Sequence, residues 1–236
     1  MSDSIVIIPT FNECENVEEM ILKVMSLEKD FHLLFVDDSS PDGTADIVRK
    51  AQKKFPGRIH LEVRTGKLGL GTAYIHGFKW CTKASYDFIF EMDCDFSHNP
   101  DDLIRLYQAC VDGADLSIGS RYTRGGNVTN WPIKRILMSY FASVYVRLIL
   151  WIGIKDTTAG FKCYRREVLE KINLDNITFK GYAFQICMKY AAKKNGFKIT
   201  EVPITFIDRV FGVSKMNTGI FKEAFFGVWK MRGMKL

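Results

Sequence analysis

The 236-residue chain is 47% hydrophobic and 25% charged, enough for one large α/β domain with a sizeable core, and this excludes a disordered chain. The net charge of +6 conceals an asymmetry: residues 1–119 hold 12 Lys+Arg against 20 Asp+Glu (net −8), and residues 120–236 hold 21 against 7 (net +14). A basic second half implies an anionic partner: phosphate esters, an anionic membrane face or nucleic acid. The six cysteines (Cys14, Cys81, Cys94, Cys110, Cys163 and Cys187) form no Cys-x-x-Cys pair, as expected of reduced thiols in a cytosolic protein. The N-terminus lacks the basic region of a signal peptide.

Ile5-Val6-Ile7-Ile8, closed by Pro9, has the pattern of a buried parallel strand. The polar turn Thr10-Phe11-Asn12-Glu13 follows. Asn16 is placed to cap a helix in which Val17, Met20, Ile21, Val24 and Met25 recur at helical spacing. Leu33 to Val36 reads as a second strand, running into Asp37, Asp38 and the turn Ser39-Ser40-Pro41-Asp42-Gly43. A helix over Thr44 to Lys54 and a strand over Ile59 to Val63 come next. The glycine-rich loop Gly66 to Gly71 opens a helix through Trp80. Phe88 to Phe90 is a buried strand that leads to two carboxylates, Asp93 and Asp95. Leu103, Ile104, Leu106 and Tyr107 mark a helix, and Leu116 to Ile118 a strand. This alternation predicts a Rossmann-like, mostly parallel sheet with helices on both faces. Ligands of such sheets bind beyond the carboxyl ends of the strands, where Glu13, Asp37, Asp38, Asp93 and Asp95 all fall.

The second half reads differently. Trp131-Pro132-Ile133-Lys134-Arg135 leads into an apolar run, Tyr140 to Ile154. The run is shorter than the ~20 residues of a membrane span and contains Arg147. Two readings stand: an interfacial helix against lipid, and a core helix packed on the sheet. Thr157 to Tyr164 is a turn and short strand, and Tyr182 to Lys194 a helix. Ile199 to Phe206 is a strand that Pro203 confines to an edge. Asp208 to Met216 is a basic loop, and the aromatic and lysine-bearing tail from Gly219 suits a membrane surface or packing on the domain. Basic residues interleaved with aliphatic runs suit a membrane face better than a nucleic-acid track, so nucleic acid is not an expected partner.

A bare Asp-x-Asp is a short pattern, often only a solvated turn. At a strand mouth the pair would repel unless a hard divalent cation lay between. Phe11 and Glu13 could sandwich and hydrogen-bond a nucleoside, Asp37 or Asp38 could grip a base or ribose hydroxyl, and Lys67 could approach a phosphate. Base, ribose, diphosphate and metal together describe a nucleotide ligand. His60, His76 and His98 read as structural, His98 being placed to cap the next helix.

Several of these stretches resemble family 2 glycosyltransferases of the GT-A fold: Pro9 to Glu13, Val36 to Thr44, Asp93 to Pro100, and Gly119-Ser120-Arg121-Tyr122. Gly125-Gly126, Asn130-Trp131-Pro132, Ala159-Gly160-Phe161, Gly181-Tyr182-Ala183-Phe184-Gln185 and Arg209-x-x-Gly212-x-Ser214-Lys215 resemble the polyprenyl-phosphate (dolichol-phosphate) mannosyltransferases among them. The resemblance implies one GT-A domain over residues 1–236. Residues 1–125 would form the nucleotide-sugar and metal half, and residues 126–236 an acceptor and membrane-facing half with interfacial amphipathic helices. It implies that Pro9, Phe11, Glu13, Val36 and Asp38 hold the nucleoside of GDP-mannose. Asp93, Cys94 and Asp95 would lie at the diphosphate, with Mg²⁺ or Mn²⁺ on Asp93, Asp95 and Ser97. Arg121, Arg135 and Ser139 would bind the phosphate of a polyprenyl lipid, and Arg209 and Lys215 would close over the donor. Asp95, Arg121, Arg209 and Lys215 are the implied catalytic groups. Mannose would pass to the lipid phosphate with inversion, on the cytoplasmic face of a membrane, through peripheral binding or a membrane subunit. Transfer of glucose from UDP-glucose and a catalytically silent subunit are the alternatives. Three positions depart from the family pattern: Ser97 stands where Gln is common, Cys187 where Glu is common, and Phe11 where Tyr is common.

Overall fold

The computed structural model describes residues 2–208, 218–234 and 236. A seven-stranded sheet organises it, in the order β3-β2-β1-β4-β7-β5-β8. The strands are β1 (Ser4–Thr10), β2 (His32–Asp37), β3 (Ile59–Val63), β4 (Phe88–Glu91), β5 (Leu116–Ser120), β7 (Lys162–Arg165) and β8 (Ile199–Pro203). A separate parallel pair joins β6 (Asn127–Thr129) to β9 (Thr205–Ile207). Within the large sheet only β7 runs antiparallel, between β4 and β5. The expected mostly parallel sheet is therefore present, with one reversed strand. That reversal carries the segment before β7 to the edge where β1, β2, β4 and β5 end.

Strand residues alternate between two cores, as the period of two requires. Ile5, Ile7, Leu34, Val36 and Ile89 face one core, and Val6, Ile8, Leu33, Phe35 and Phe90 face the other. The first core is covered by α3 (Leu70–Lys83), α5 (Ile133–Leu150), α6 (Arg166–Lys171), α7 (Tyr182–Lys194) and α8 (Thr218–Arg232). The second is covered by α1 (Val17–Met25), α2 (Thr44–Lys54) and α4 (Asp102–Val111). Gly71 lets α3 start against the chain before α7: a Cβ there would meet the Phe179 carbonyl oxygen at 2.4 Å. β8 is an edge strand, as Pro203 predicts. The six cysteines are free thiols.

α5 packs one face on the core, as the second of the two readings expected, and leaves other apolar side chains exposed. It begins at Ile133, seven residues before the apolar run, and stops at Leu150 because Trp151 adopts the left-handed region (φ 56°). Ser143, Val146 and Leu150 are buried, whereas Ile133, Phe141 and Leu148 are exposed, as is Trp151 (84%). α8 lies beside α5, with Phe225 stacked on Tyr145 at 4.9 Å and the Trp229 indole donating to the Tyr145 hydroxyl at 2.8 Å. Phe226 is also exposed. No helix among the described residues is long and apolar enough to cross a membrane.

Candidate active site

The chain leaves β1, β2, β4 and β5 at one edge of the sheet, and the loops there enclose a cleft of about 270 Å³. Three of these loops hold a non-glycine residue in the left-handed region: Asn12 (φ 56°), Ser39 (φ 55°) and Phe96 (φ 57°). A bulky residue seldom adopts that conformation, and such positions cluster at functional sites. Phe96 turns the chain between Asp95 and Ser97, and the Ser97 N–H donates to Asp95 Oδ1 at 3.1 Å.

The first two loops are tied together. The Cys14 N–H, the Thr44 N–H and the Thr44 hydroxyl all donate to Asp42, at 3.0, 3.0 and 2.6 Å. Burial raises the Asp42 carboxyl, but these donors outweigh it and hold the pKa to about 2. Glu13 N–H donates to Thr44 Oγ1 at 3.0 Å, and Asn12 N–H to Ser40 Oγ at 3.0 Å. Asn16 makes no side-chain cap; its amide donates to Glu13 Oε2 at 3.0 Å.

Pro9, Phe11, Glu13, Asp38, Asp93, Cys94, Asp95 and Ser97 line the cleft, so most of the residues singled out from sequence converge there. Val36 does not. Its side chain alternates into the core beneath α3, so only its main chain can serve a ligand. Asp37 is also internal: it is fully buried and accepts from Thr10 Oγ1 at 2.8 Å and from the Ser40 hydroxyl at 2.6 Å. The Asp38 carboxylate is matched by Arg64, whose Nε donates at 2.6 Å. Lys67 Nζ lies 4.6 Å from the Phe11 ring centroid.

Asp93 and Asp95 stand at the centre. The Tyr74 hydroxyl donates to Asp93 Oδ1 at 3.4 Å. Burial, then the Asp93 charge, raises the Tyr74 pKa and keeps it protonated. His98 caps no helix: it is buried against Phe161 with ring centroids 4.9 Å apart, and its Nδ1 accepts the Asp93 N–H at 3.3 Å. That contact assigns its proton to Nε2, and burial pushes its pKa down to about 4, so the ring is neutral near pH 7. Among the described residues there is no cluster of three or more His, Cys, Asp or Glu suited to a metal. The donor set still fits Mg²⁺ or Mn²⁺, which are commonly held by one or two carboxylates with substrate phosphate and water completing the shell.

At the far end, Arg121 is not a free cation. Its Nε and Nη2 grip Asp156 at 2.7 and 2.6 Å, its N–H adds a third bond at 3.0 Å, and Nη2 also donates to Thr158 Oγ1 at 2.8 Å. Arg135 pairs with Asp208 at 2.9 Å and lies 3.9 Å over the Trp131 ring. Ser139 lines not the cleft but a second cavity, an apolar groove of about 910 Å³ bounded by α5, α7 and α8. Arg121, Trp131, Arg135, Thr158 and Tyr182 border both spaces. Arg209 and Lys215 lie outside the described residues.

A buried polar frame beneath the cleft was not legible as such in the sequence. Glu91, Lys162, Lys189 and Asp156 are all fully buried. Lys162 pairs with Glu91 at 3.0 Å, and the Tyr164 hydroxyl donates to Glu91 at 2.7 Å. Lys189 donates to the carbonyls of Thr157, Ala159 and Gln185 at 3.0, 2.6 and 3.3 Å. Burial, then Lys162, lowers its pKa. The one sequence signal was a charge at a position where helix or strand periodicity calls for an apolar residue. Cys187, where the family often has Glu, is buried in the core.

A Rossmann-like sheet with paired carboxylates beyond its central strand is the architecture of GT-A glycosyltransferases. The solved structure of Mycobacterium tuberculosis glucosyl-3-phosphoglycerate synthase with Mn²⁺, uridine diphosphate and glucosyl-3-phosphoglycerate shares this fold. It matches with a TM-score of 0.71 at 15% identity, over 99% of this chain and 81% of that one. The family model for glycosyl transferase family 2 matches residues 5–173, and the chain belongs to that family. It is 48% identical to the polyprenol monophosphomannose synthase of Mycolicibacterium smegmatis, over 98% of this chain and 88% of that protein. It is 44% identical to the undecaprenyl-phosphate mannosyltransferase of Micrococcus luteus, over 92% of this chain and 89% of that protein.

Proposed function

We propose that the protein transfers mannose from GDP-mannose to a polyprenyl phosphate, with inversion at the anomeric carbon. The observation that carries this reading is the junction at Arg121, Trp131 and Arg135, residues that border both a carboxylate-lined cleft and an apolar groove. A nucleotide sugar suits the first space and an isoprenoid tail the second. The names of the two bacterial relatives carry the mannosyl group and the polyprenyl phosphate, and GDP as the leaving nucleotide is this reading's own addition.

In this reading residues 1–125 take the donor and residues 126–236 the acceptor. Phe11 stacks on the base, while Glu13 and Asp38 accept from base or ribose. Lys67 leaves the Phe11 face and meets the diphosphate. Asp93 and Asp95, with Ser97, would hold Mg²⁺ or Mn²⁺, which would offset charge on the diphosphate. Arg135 and Ser139, with Arg121, seat the lipid phosphate. That phosphate is already anionic near neutral pH, so no strong general base is needed; alignment and charge screening supply the rate. Its oxygen forms the bond to the anomeric carbon as GDP leaves with the bonding pair. Arg209 and Lys215 complete the donor site. The exposed apolar side chains of α5 and α8 rest on the cytoplasmic face of a membrane, where the groove receives the lipid.

The test is thermal-shift binding of GDP-mannose, GDP, UDP-glucose and UDP, with and without Mn²⁺, followed by transfer of labelled mannose to polyprenyl phosphate. Metal-dependent shifts with the guanine ligands, transfer by the wild type, and none by folded Asp93→Ala or Asp95→Ala are expected. Shifts with uridine ligands alone would discard mannose, and unchanged turnover in both variants would discard the site.

A further inference from the structure

We propose that Gln185 is a specificity-determining hydrogen-bond donor to one hydroxyl of the transferred sugar, with its amide aimed by the buried Lys162–Glu91 pair. This rests on the glycosyl-transfer reading above.

Gln185 lies in the first turn of α7, is only 3% exposed and lines the cleft. Its Oε1 accepts from Lys162 Nζ. An ammonium has three donors and no acceptor, so the amide must turn its oxygen towards Lys162 and its NH₂ away. Lys162 cannot follow a reorienting amide, because it is fully buried and held by Glu91 at 3.0 Å. Glu91 in turn accepts the Tyr164 hydroxyl at 2.7 Å. The direction of Nε2 is therefore fixed by a frame that takes no other part in the cleft.

Nε2 has no hydrogen-bond partner among the described residues, and Gly160 leaves room near it. A Cβ on Gly160 would stand 3.5 Å from Nε2 and 3.6 Å from His98 Cε1. This room belongs to the same cleft as the groups assigned above to the two phosphates. His98, beside Gly160, accepts from the Asp93 main chain, and Arg121 is held by Asp156 in the segment that leads to Gly160; Asp93, Asp95 and Arg121 all line the cleft. The group between donor and acceptor phosphates is the sugar, whose hydroxyl oxygens are acceptors. A preoriented donor rejects a ligand that leaves it unpaired.

The experiment is a steady-state series of kcat/KM for wild type, Gln185→Glu and Gln185→Met with GDP-mannose and its 2-, 3-, 4- and 6-deoxy analogues. Gln185→Glu keeps an acceptor for Lys162, so it preserves the frame while removing the donor. Gln185→Met removes both at similar volume. A GDP thermal shift, which involves no sugar, checks that each variant is folded and binds nucleotide. With the wild type, one analogue should lose about tenfold or more relative to GDP-mannose. The same analogue should lose nothing further in either variant, while the other three analogues lose alike in all proteins. Penalties at every position that are the same in variants and wild type would overturn the proposal. Transfer by the wild type from UDP-glucose but not GDP-mannose would refute the mannose reading alone, and deoxyglucose donors would then decide the role of Gln185. No transfer from either donor would overturn both.

Discussion

Removing the Asp156 carboxylate should unfold the acceptor end of the site more readily than removing any exposed charge. Asp156 is fully buried and Arg121 nearly so, and the carboxylate accepts two bonds from the guanidinium and one from the Arg121 main-chain N–H. Burial alone would raise the Asp156 pKa; the Arg121 charge and the hydrogen bonds from Arg121 together outweigh it and keep the group below its ordinary 3.8. With the folded value depressed, the stabilisation is complete above pH 3.8 and is lost only as pH falls through the folded value, so it is fully present at pH 7. Asp156→Ala leaves a buried guanidinium without its counter-charge, which costs about 3–5 kcal/mol. For a chain of this size that lowers the melting temperature by roughly 6–20 °C. Replacing both partners, as in Arg121→Met with Asp156→Leu, removes the stranded charge and should recover most of the loss while transfer stays poor. Differential scanning fluorimetry at pH 7 checks all three proteins. A single variant melting within a degree or two of wild type, or a double variant melting as low as the single, would refute the argument.

Other perturbations separate the remaining parts. The depressed pKa of Asp42, about 2, means its contribution to stability is lost between about pH 4 and pH 2; Asp42→Asn should flatten acid unfolding in that window and weaken GDP binding, read by circular dichroism and calorimetry. Lys189→Met leaves three buried carbonyls without their donor and should lower the urea-unfolding free energy by about 2 kcal/mol or more, with kcat/KM falling as the Thr157–Ala159 segment loosens. Leu148→Ser with Trp151→Ser, outside both cavities, should cut co-sedimentation with anionic lipid vesicles about tenfold or more, while turnover of a short, water-soluble isoprenyl phosphate stays at the wild-type rate.

The donor half was open to sequence reading because each of its strands is a short β-branched or apolar run that ends in a polar cluster. Phe11, Asp38, Asp93 and Asp95 follow directly from that pattern. The frame was not, because its members are far apart in sequence. Glu91, Lys162 and Gln185 meet only through the pairing of β4 with β7 and the packing of α7 beneath them. The antiparallel course of β7 explains the rest: the segment that reaches the cleft, Thr158 to Gly160, precedes the strand, whereas a rule that looks after each strand finds only Arg165 and Arg166. Those two instead fasten loops, Arg165 to the Cys110 and Ala114 carbonyls and Arg166 to Asp87. Val36 can serve a ligand only through its main chain. It sits inside a strand whose alternation had already assigned its side chain to the core.

The wall that cleft and groove share bears on wasted turnover. In the proposed reading, with the groove empty, an activated sugar in the cleft would face solvent across Arg121, Trp131 and Arg135, and water would be a competing nucleophile. An isoprenoid tail in the groove covers that opening with hydrocarbon and brings the correct nucleophile in the same event. In that reading occupancy by the acceptor itself contributes to the seal. Futile hydrolysis of the donor should be greatest with acceptors whose tails are too short to fill the groove.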